Sequence, residues 1–252
     1  MIYKIKQGRP SAVSCPCTLI KMVDMSELLE LLATKFNRFL FDNFCSTENL
    51  NAAETGTAEI SSSIFELELN TGVLASSTAK AYYNLNLFNP VYSNLYMRFY
   101  LNSMADCKAF LGFKESTDDV DWADAVQVKE SSVGLMIENG KLYAYSSRMT
   151  AAGPPAVYSQ QKTEISGIDV TKDFIYKIIN EKFFTQPLPQ VIPYFDGFRI
   201  ITPDRIWTQR ASNGTYAPED KVHYLVFCIE NTTGAEKILR IKNITYGEEY
   251  AD

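Results

Sequence analysis

SSVGLMIENGKLYAYSS, Ser131–Ser147, sets two alternating runs on either side of Asn139-Gly140. A two-residue loop of that composition favours a type I′ turn, because both central residues must accept φ > 0. The register follows: Glu138 faces Lys141, Ile137 faces Leu142, Met136 faces Tyr143, Leu135 faces Ala144, Gly134 faces Tyr145 and Val133 faces Ser146. One face is then aliphatic, with Val133, Leu135, Ile137, Leu142 and Ala144. The other carries Met136, Tyr143, Tyr145 and the Glu138/Lys141 pair, a surface equally suited to water, a sugar or another protein. The stretch decides a fold class and leaves the reaction open.

Outward from the hairpin, strand patterns recur at Ile64–Leu69, Ala81–Phe88, Leu95–Leu101, Ala109–Lys114, Phe174–Ile179, Val191–Phe195, Val222–Ile229 and Lys237–Ile244, separated by Gly, Pro, Asn, Asp and Ser clusters. With no helical runs between them, this spacing predicts an all-β sandwich or barrel. Thr117–Ala125, Thr150–Tyr158 and Ser212–Asp220 read as loops, where sandwiches commonly carry recognition residues. Ahead of the strands, Asp24 and Glu27 have capping-box spacing, and Leu28, Leu29, Leu32 and Phe36 follow at helical intervals. One helix is expected there, packed across an end of the sandwich or docked on a neighbouring subunit. The expected organisation is an N-terminal arm and helix over residues 1–38 and a sandwich over 39–252.

Alternation also sorts candidate binding residues. In LYMRFYL, Leu95, Met97, Phe99 and Leu101 share a face and Tyr96, Arg98 and Tyr100 the other; in AYYNLNLF, Tyr83, Leu85 and Leu87 oppose Tyr82, Asn84 and Asn86. VHYLVFCI is apolar on both sides, as a strand buried between layers should be. Tyr82, Asn84, Tyr96, Arg98, Tyr100, Tyr143 and Tyr145 are therefore the candidate ligand-binding set, expected to form one polar-aromatic face. Aromatic faces stack on sugar C–H groups while Asn and Arg supply planar hydrogen bonds, and the same chemistry makes a protein interface.

Composition removes several classes of function. With a net charge of −6 and no Lys/Arg cluster, the chain repels a phosphate backbone, so no nucleic-acid partner is expected. No run approaches the ~20 apolar residues of a membrane span, and the first residues lack the apolar core of a secretory signal. Synthesis in the cytoplasm without a cleavable signal peptide is the expectation, and the sequons at Asn213, Asn231 and Asn243 carry little weight beside it. The 5 cysteines, Cys15, Cys17, Cys45, Cys107 and Cys228, are odd in number and lack zinc-site spacing, which reads as reduced thiols.

The order of SNLYMRFYL, AFLGF, VGLMIENGKLYAYSS, TEISGIDVTKDFIYKI, PYFDGFRI and IENTTGAEKILRIKNITYG resembles the concanavalin A-like lectin/glucanase sandwich, especially LamG-like modules of viral and microbial surface proteins. The most specific parts are the IENGKLYA hairpin and the Asp196-Gly197 turn. The resemblance implies two antiparallel sheets in jelly-roll order, with glycans bound on a concave face or at loop ends in many members and purely structural use in others.

Hydrolases of that fold carry an E-x-D-x-x-E strand motif that brings two carboxylates together for a retaining mechanism. The nearest match here is Glu66-Leu67-Glu68-Leu69-Asn70-Thr71, in which Glu68 replaces the Asp and Thr71 the second essential Glu. His223 is the only histidine and sits in the two-sided apolar strand with no obvious partner, which reads as a core histidine. Asp118, Asp119, Asp121 and Asp124 offer oxygen ligands in one loop, but not in EF-hand order, and read as a solvated acidic turn. No cofactor, metal or catalytic residue is expected. The sequence reading is therefore a non-enzymatic structural or attachment protein of a surface assembly, a virion above all, contacting other subunits or copies of itself and with glycan recognition as an added role. A free lectin-like module and a glycoside hydrolase of the same fold are the alternatives.

Overall fold

The computed structural model describes residues 36–42, 44, 49–63, 66–83, 88, 90, 93–168, 170–171, 174–179, 197–201, 206–210, 219 and 221–249. Among these lie 15 strands: β1 (Phe36–Asp42), β2 (Leu50–Glu54), β3 (Glu59–Ser63), β4 (Glu66–Asn70), β5 (Thr78–Tyr83), β6 (Ser93–Leu101), β7 (Cys107–Lys114), β8 (Ser132–Glu138), β9 (Lys141–Ala151), β10 (Val157–Ile165), β11 (Phe174–Ile179), β12 (Gly197–Ile201), β13 (Ile206–Arg210), β14 (Tyr224–Asn231) and β15 (Ile238–Glu249). An 8-stranded sheet runs β13-β12-β11-β6-β15-β4-β3, with β1 also paired to β15; a 7-stranded sheet runs β10-β9-β8-β7-β14-β5-β2. The pairings are antiparallel, and the two layers make a jelly-roll sandwich.

The expected hairpin is present in the expected register, from Val133 opposite Ser146 to Glu138 opposite Lys141. Asn139 and Gly140 take φ of 52° and 72°, as a type I′ turn requires. The expected helix falls outside the described residues. Phe36, its last apolar position, instead opens β1 and pairs with Glu249, so strand structure begins ahead of the expected boundary at residue 39. The expected strand Val191–Phe195 also lies outside the described residues, and Gly197 opens β12. Polar edge strands β2, β3 and β10 escaped the sequence reading because each buries little, and alternation is only visible where one face is greasy.

Between the sheets, Leu67 and Leu69 (β4), Ala79, Ala81 and Tyr83 (β5), Leu95, Met97, Phe99 and Leu101 (β6), the aliphatic face of the hairpin, and Leu225, Phe227 and Ile229 (β14) form one core. Tyr246, Phe88 and Phe113 add an aromatic knot, with Phe88 edge-on to Tyr246 at 4.9 Å. A second, smaller core lies on the outer side of the 7-stranded sheet, where Phe110, Met136, Tyr145 and Cys228 pack under Val120 and Val128. Those two valines come from the connection between β7 and β8, which folds back over the sheet. Strands β7, β8 and β14 are therefore buried on both faces, as VHYLVFCI foreshadowed. Cys107 and Cys228 are buried free thiols whose pKa burial pushes up to about 12 and about 11, so they stay protonated.

Close approach at the centre of this sheet depends on two glycines. A Cβ on Gly112 would meet Val133 O at 2.3 Å, and one on Gly134 would meet Leu111 O at 2.5 Å. Both obstacles are backbone and cannot rotate away. Gly134→Ala is expected to lower unfolding free energy by about 1–3 kcal/mol, read by denaturant titration; a change within error would mean that β7 and β8 separate freely.

Candidate functional site

The 7 candidate residues do not form one surface. Arg98 is exposed and Tyr100 half-buried on β6, and Tyr96 has its place in the same strand, paired with Lys177 and Thr245, so these three belong to the 8-stranded sheet. Tyr82, Tyr143 and Tyr145 belong to the 7-stranded sheet, on the far side of the shared core. Asn84 lies outside the described residues. Among the described residues alternation separated the side chains that face the shared core from the rest, but two sheets have two outer faces, and a loop buries part of one.

Tyr145 is fully buried in the second core, edge-on to Phe110 at 6.3 Å. Its hydroxyl accepts a hydrogen bond from Val128 N at 3.1 Å, and burial pushes its pKa up to about 12. Tyr82 is half-buried and meets Tyr224 edge-on at 6.3 Å. Tyr143 alone of the hairpin pair stays at the surface, half-buried at the margin of the covering loop.

On the 8-stranded sheet, the carboxylates of Glu66 and Glu68 do share a face, and Arg240 of β15 closes on both, with Nε 3.1 Å from Glu66 Oε1 and 2.7 Å from Glu68 Oε2. Arg240 also donates to Tyr100 OH at 2.5 Å, and these bonds from Glu68 and Tyr100 hold the guanidinium firmly in its charged form. Thr71, at the place of the third motif residue, is buried and accepts Lys237 N at 3.0 Å. The motif match is thus an ion-paired turn anchor.

A different constellation occupies the outer face of the 7-stranded sheet. Lys108 of β7 lies 3.6 Å from Glu230 of β14 and 5.9 Å from the ring centre of Trp122. Glu138 of β8 accepts from Gln127 Nε2 at 3.0 Å and from Lys162 of β10. Burial works to raise the pKa of Glu138, but Lys162, Gln127 and Lys108 prevail and hold it below the usual carboxylate range. Lys162 also donates to Gln127 Oε1 at 3.1 Å and sits 4.5 Å over the Tyr143 ring. Glu138 and Lys141 face each other as expected, yet their ion pairs run sideways to Lys162 and Glu164 of β10, a strand the sequence reading had not foreseen.

Two hollows open here, one lined by Lys108 and the other by its ion-pair partner Glu230. One, about 360 Å³, opens at the hairpin tip among Asp106, Lys108, Asn139, Gly140 and Thr232; the other, about 100 Å³, lies between Trp122, Asp119, Thr78 and Glu230. Asp106 and Asn139 both sit at φ 52° beside the larger one. Half-buried Trp122 and Tyr143 thus flank a cluster of Lys, Glu and Gln side chains, beside two concavities. Sequence reasoning missed Trp122, Gln127 and Lys162 because they lie in a loop and on an edge strand without periodicity. The one available signal was a tryptophan inside an acidic loop.

The covering loop is held by buried polar groups. Lys114 is 1% exposed, with its ammonium 3.1 Å from Glu130 Oε1 and bonded to Asp118 O, while Glu130 Oε2 accepts Ser116 N at 2.7 Å. The Ser132 and Ser147 hydroxyls are 2.7 Å apart, and Ser147 donates to Glu130 O at 2.8 Å. Three of the loop's four aspartates are engaged: Asp119 pairs with Lys80 and Asp124 with Lys129, both at 2.5 Å, and Asp121 accepts Ala123 N at 3.1 Å. Among the described residues no group of 3 or more His, Cys, Asp and Glu could hold a metal ion. His223 does have a partner: Nε2 is 2.9 Å from Ser131 Oγ. Both are buried, so no substrate reaches this pair.

No protein-family profile matches the chain, and no curated protein resembles it in sequence. Solved structures do superpose. An endo-acting O-glycanase of the human gut microbiota matches at 8% identity and TM-score 0.53, over 84% of this chain and 99% of its own. The catalytic domain of an endo-1,3-beta-glucanase (laminarinase) from Thermotoga petrophila matches at 10% identity and TM-score 0.52, over 84% and 97%. The carbohydrate recognition domain of Emp47p matches at 9% identity and TM-score 0.50, over 86% and 99%. The chain has the concanavalin A-like lectin/glucanase jelly-roll fold. The expectation of a protein without enzymatic activity is corrected by these neighbours, since catalytic domains of glycoside hydrolases share the fold over nearly their whole length.

The loop's anchors can be tested one at a time. Tyr145→Phe leaves Val128 N–H buried without a partner and is expected to cost about 1–3 kcal/mol. Glu130→Ala, which strands the Lys114 charge, is expected to cost about 3–5 kcal/mol. Denaturant unfolding reads both, and equal small losses would mean that the loop is not part of the cooperative fold.

Proposed function

We propose that the protein recognises carbohydrate on the outer face of its 7-stranded sheet, across the Trp122 and Tyr143 rings and the polar side chains between them. The observation that carries this reading is the placing of Trp122 and Tyr143 around the Glu138–Lys162–Gln127 cluster. Half-buried rings offer C–H stacking, and the cluster offers acceptors and donors at fixed positions, the combination an oligohydroxylated ring needs. Each ring faces a lysine ammonium in the free protein, Lys108 at Trp122 and Lys162 at Tyr143. The neighbours named as a glucanase, an O-glycanase and a carbohydrate recognition domain support the reading by analogy of fold.

A second reading, hydrolysis, comes from the fold shared with a laminarinase catalytic domain, with Glu138 and Glu230 on either side of Lys108 as its candidate carboxylates once a ligand displaces the lysines that pair with them. Their strands are separated by β7 alone, about 9–10 Å between backbones, and carboxylates about 6.5–9.5 Å apart suit an inverting pair. The finer part of the proposal is the setting: an attachment or structural component of a surface assembly such as a virion. It rests on the N-terminal segment of the sequence as a subunit contact, and a monodisperse monomer without partners at high concentration would remove it.

A glycan array that includes β-1,3-glucan oligosaccharides and mucin-type O-glycans tests recognition. A saturable signal is expected that falls about tenfold or more in Trp122→Ala and Tyr143→Ala, a loss of about 1.4 kcal/mol or more, and is unchanged in Arg98→Ala on the other sheet. Silence across the array, or loss in Arg98→Ala alone, removes this site. Product analysis of the bound glycans in Glu138→Gln and Glu230→Gln decides hydrolysis: cleavage lost in both supports it, and no cleavage by the wild type ends it.

A further inference from the structure

We propose that His223 is a pH-sensitive clasp: its neutral imidazole ties Ser131, where the covering loop ends, to Glu219 and Lys221, and protonation releases the loop. The consequence for ligand binding rests on the carbohydrate reading, because this loop carries Trp122 and Gln127; the clasp itself does not.

The two ends of the loop are joined to each other, Glu115 N donating to Ser131 O at 3.1 Å and Ser131 N to Glu115 Oε2 at 3.4 Å. His223 Nδ1 lies 2.7 Å from Lys221 O, and a carbonyl only accepts, so Nδ1 carries a hydrogen. In the neutral ring Nε2 is then bare and accepts the Ser131 hydroxyl at 2.9 Å. Ser131 Oγ in turn accepts Glu219 N at 2.8 Å. Every polar atom of the dyad is satisfied, and water reaches neither side chain, with His223 0% and Ser131 1% exposed.

A proton on Nε2 makes both atoms of that bond donors. The serine must turn its hydrogen away, and among the described residues no second acceptor meets it, so a buried charge and an orphaned hydroxyl arise together. The charged groups around the ring are divided. Lys221 opposes a second positive charge; Glu115 and Glu130 favour one, but Glu115 is 2.6 Å from Lys221 and Glu130 is 3.1 Å from Lys114. Glu219 is likewise held by Lys221 at 2.8 Å. Burial is the largest influence, and it places the imidazole pKa below its ordinary value. An opened loop lets the ring take its proton near about pH 6.5, whereas the closed loop resists to lower pH. Acidification through that window therefore favours opening.

His223 is the only histidine, so its ring resonance needs no assignment. NMR follows it in the whole protein from about pH 8 to about pH 5, while hydrogen exchange, normalised for intrinsic rates, is read over residues 116–130. Loop protection is expected to fall by up to about tenfold per pH unit below about pH 6.5, where the opened ring protonates, to level off where the closed ring itself titrates, and to stay flat in His223→Gln. Protection that stays flat between about pH 6.5 and the ring's own titration, or falls equally in His223→Gln, overturns the clasp. If His223→Gln does not fold, the relation between ring titration and loop exchange in the wild type decides alone. No glycan enters this readout, so a protein that opens with His223 and binds no sugar keeps the clasp and loses the proposed function.

Discussion

Burial of both faces of one sheet is the constraint on which this molecule depends. A sandwich needs only its inner faces covered, yet here the loop between β7 and β8 lays Val120 and Val128 over Phe110, Met136, Tyr145 and Cys228. Covering that face removes water from groups that strands cannot satisfy with their own backbone. Lys114, Ser131, Ser132, Ser147 and His223 are all buried, and each has found a partner in the loop, the hairpin or the segment before β14. A buried polar group left unpaired costs more than its bond contributes, so this network favours the loop's observed position.

The candidate site inherits its shape from this covering. Trp122 and Gln127 belong to the loop, while Lys108, Glu138 and Tyr143 belong to the strands that emerge from beneath it. A rigid sheet therefore supplies charge at fixed spacing, and a segment with its own anchors supplies an aromatic wall. On the opposite sheet, Arg240 draws Glu66 and Glu68 together and uses up the chemistry that the strand motif had suggested. Two carboxylates on one face are thus not sufficient for acid–base work; what neutralises them decides.

Much of this was legible in the residues. Asn139-Gly140 determined the hairpin and its register, LYMRFYL showed which side faces the core, and VHYLVFCI announced a strand covered on both sides. The single polar-aromatic face was misjudged because period-two alternation reports a direction relative to a strand and carries no information on which sheet the strand joins. The same limit hid Tyr145, whose hydroxyl meets Val128 across a loop with no pattern of its own. Exclusion of catalysis failed for a related reason: the residues were weighed against known motifs one by one, while the fold itself is shared with hydrolases.

Local chemistry by itself determined the turn, the strand faces and the all-β class, because φ > 0 at two residues and alternation over a few positions are properties of neighbours in the chain. Only the tertiary structure decided which strands share a sheet, which tyrosines reach solvent and where Lys108, Trp122 and Glu138 converge. Those outcomes join residues far apart in sequence, such as His223 with Ser131, and depend on what remains unsatisfied once water has been expelled, a sum taken over the whole fold.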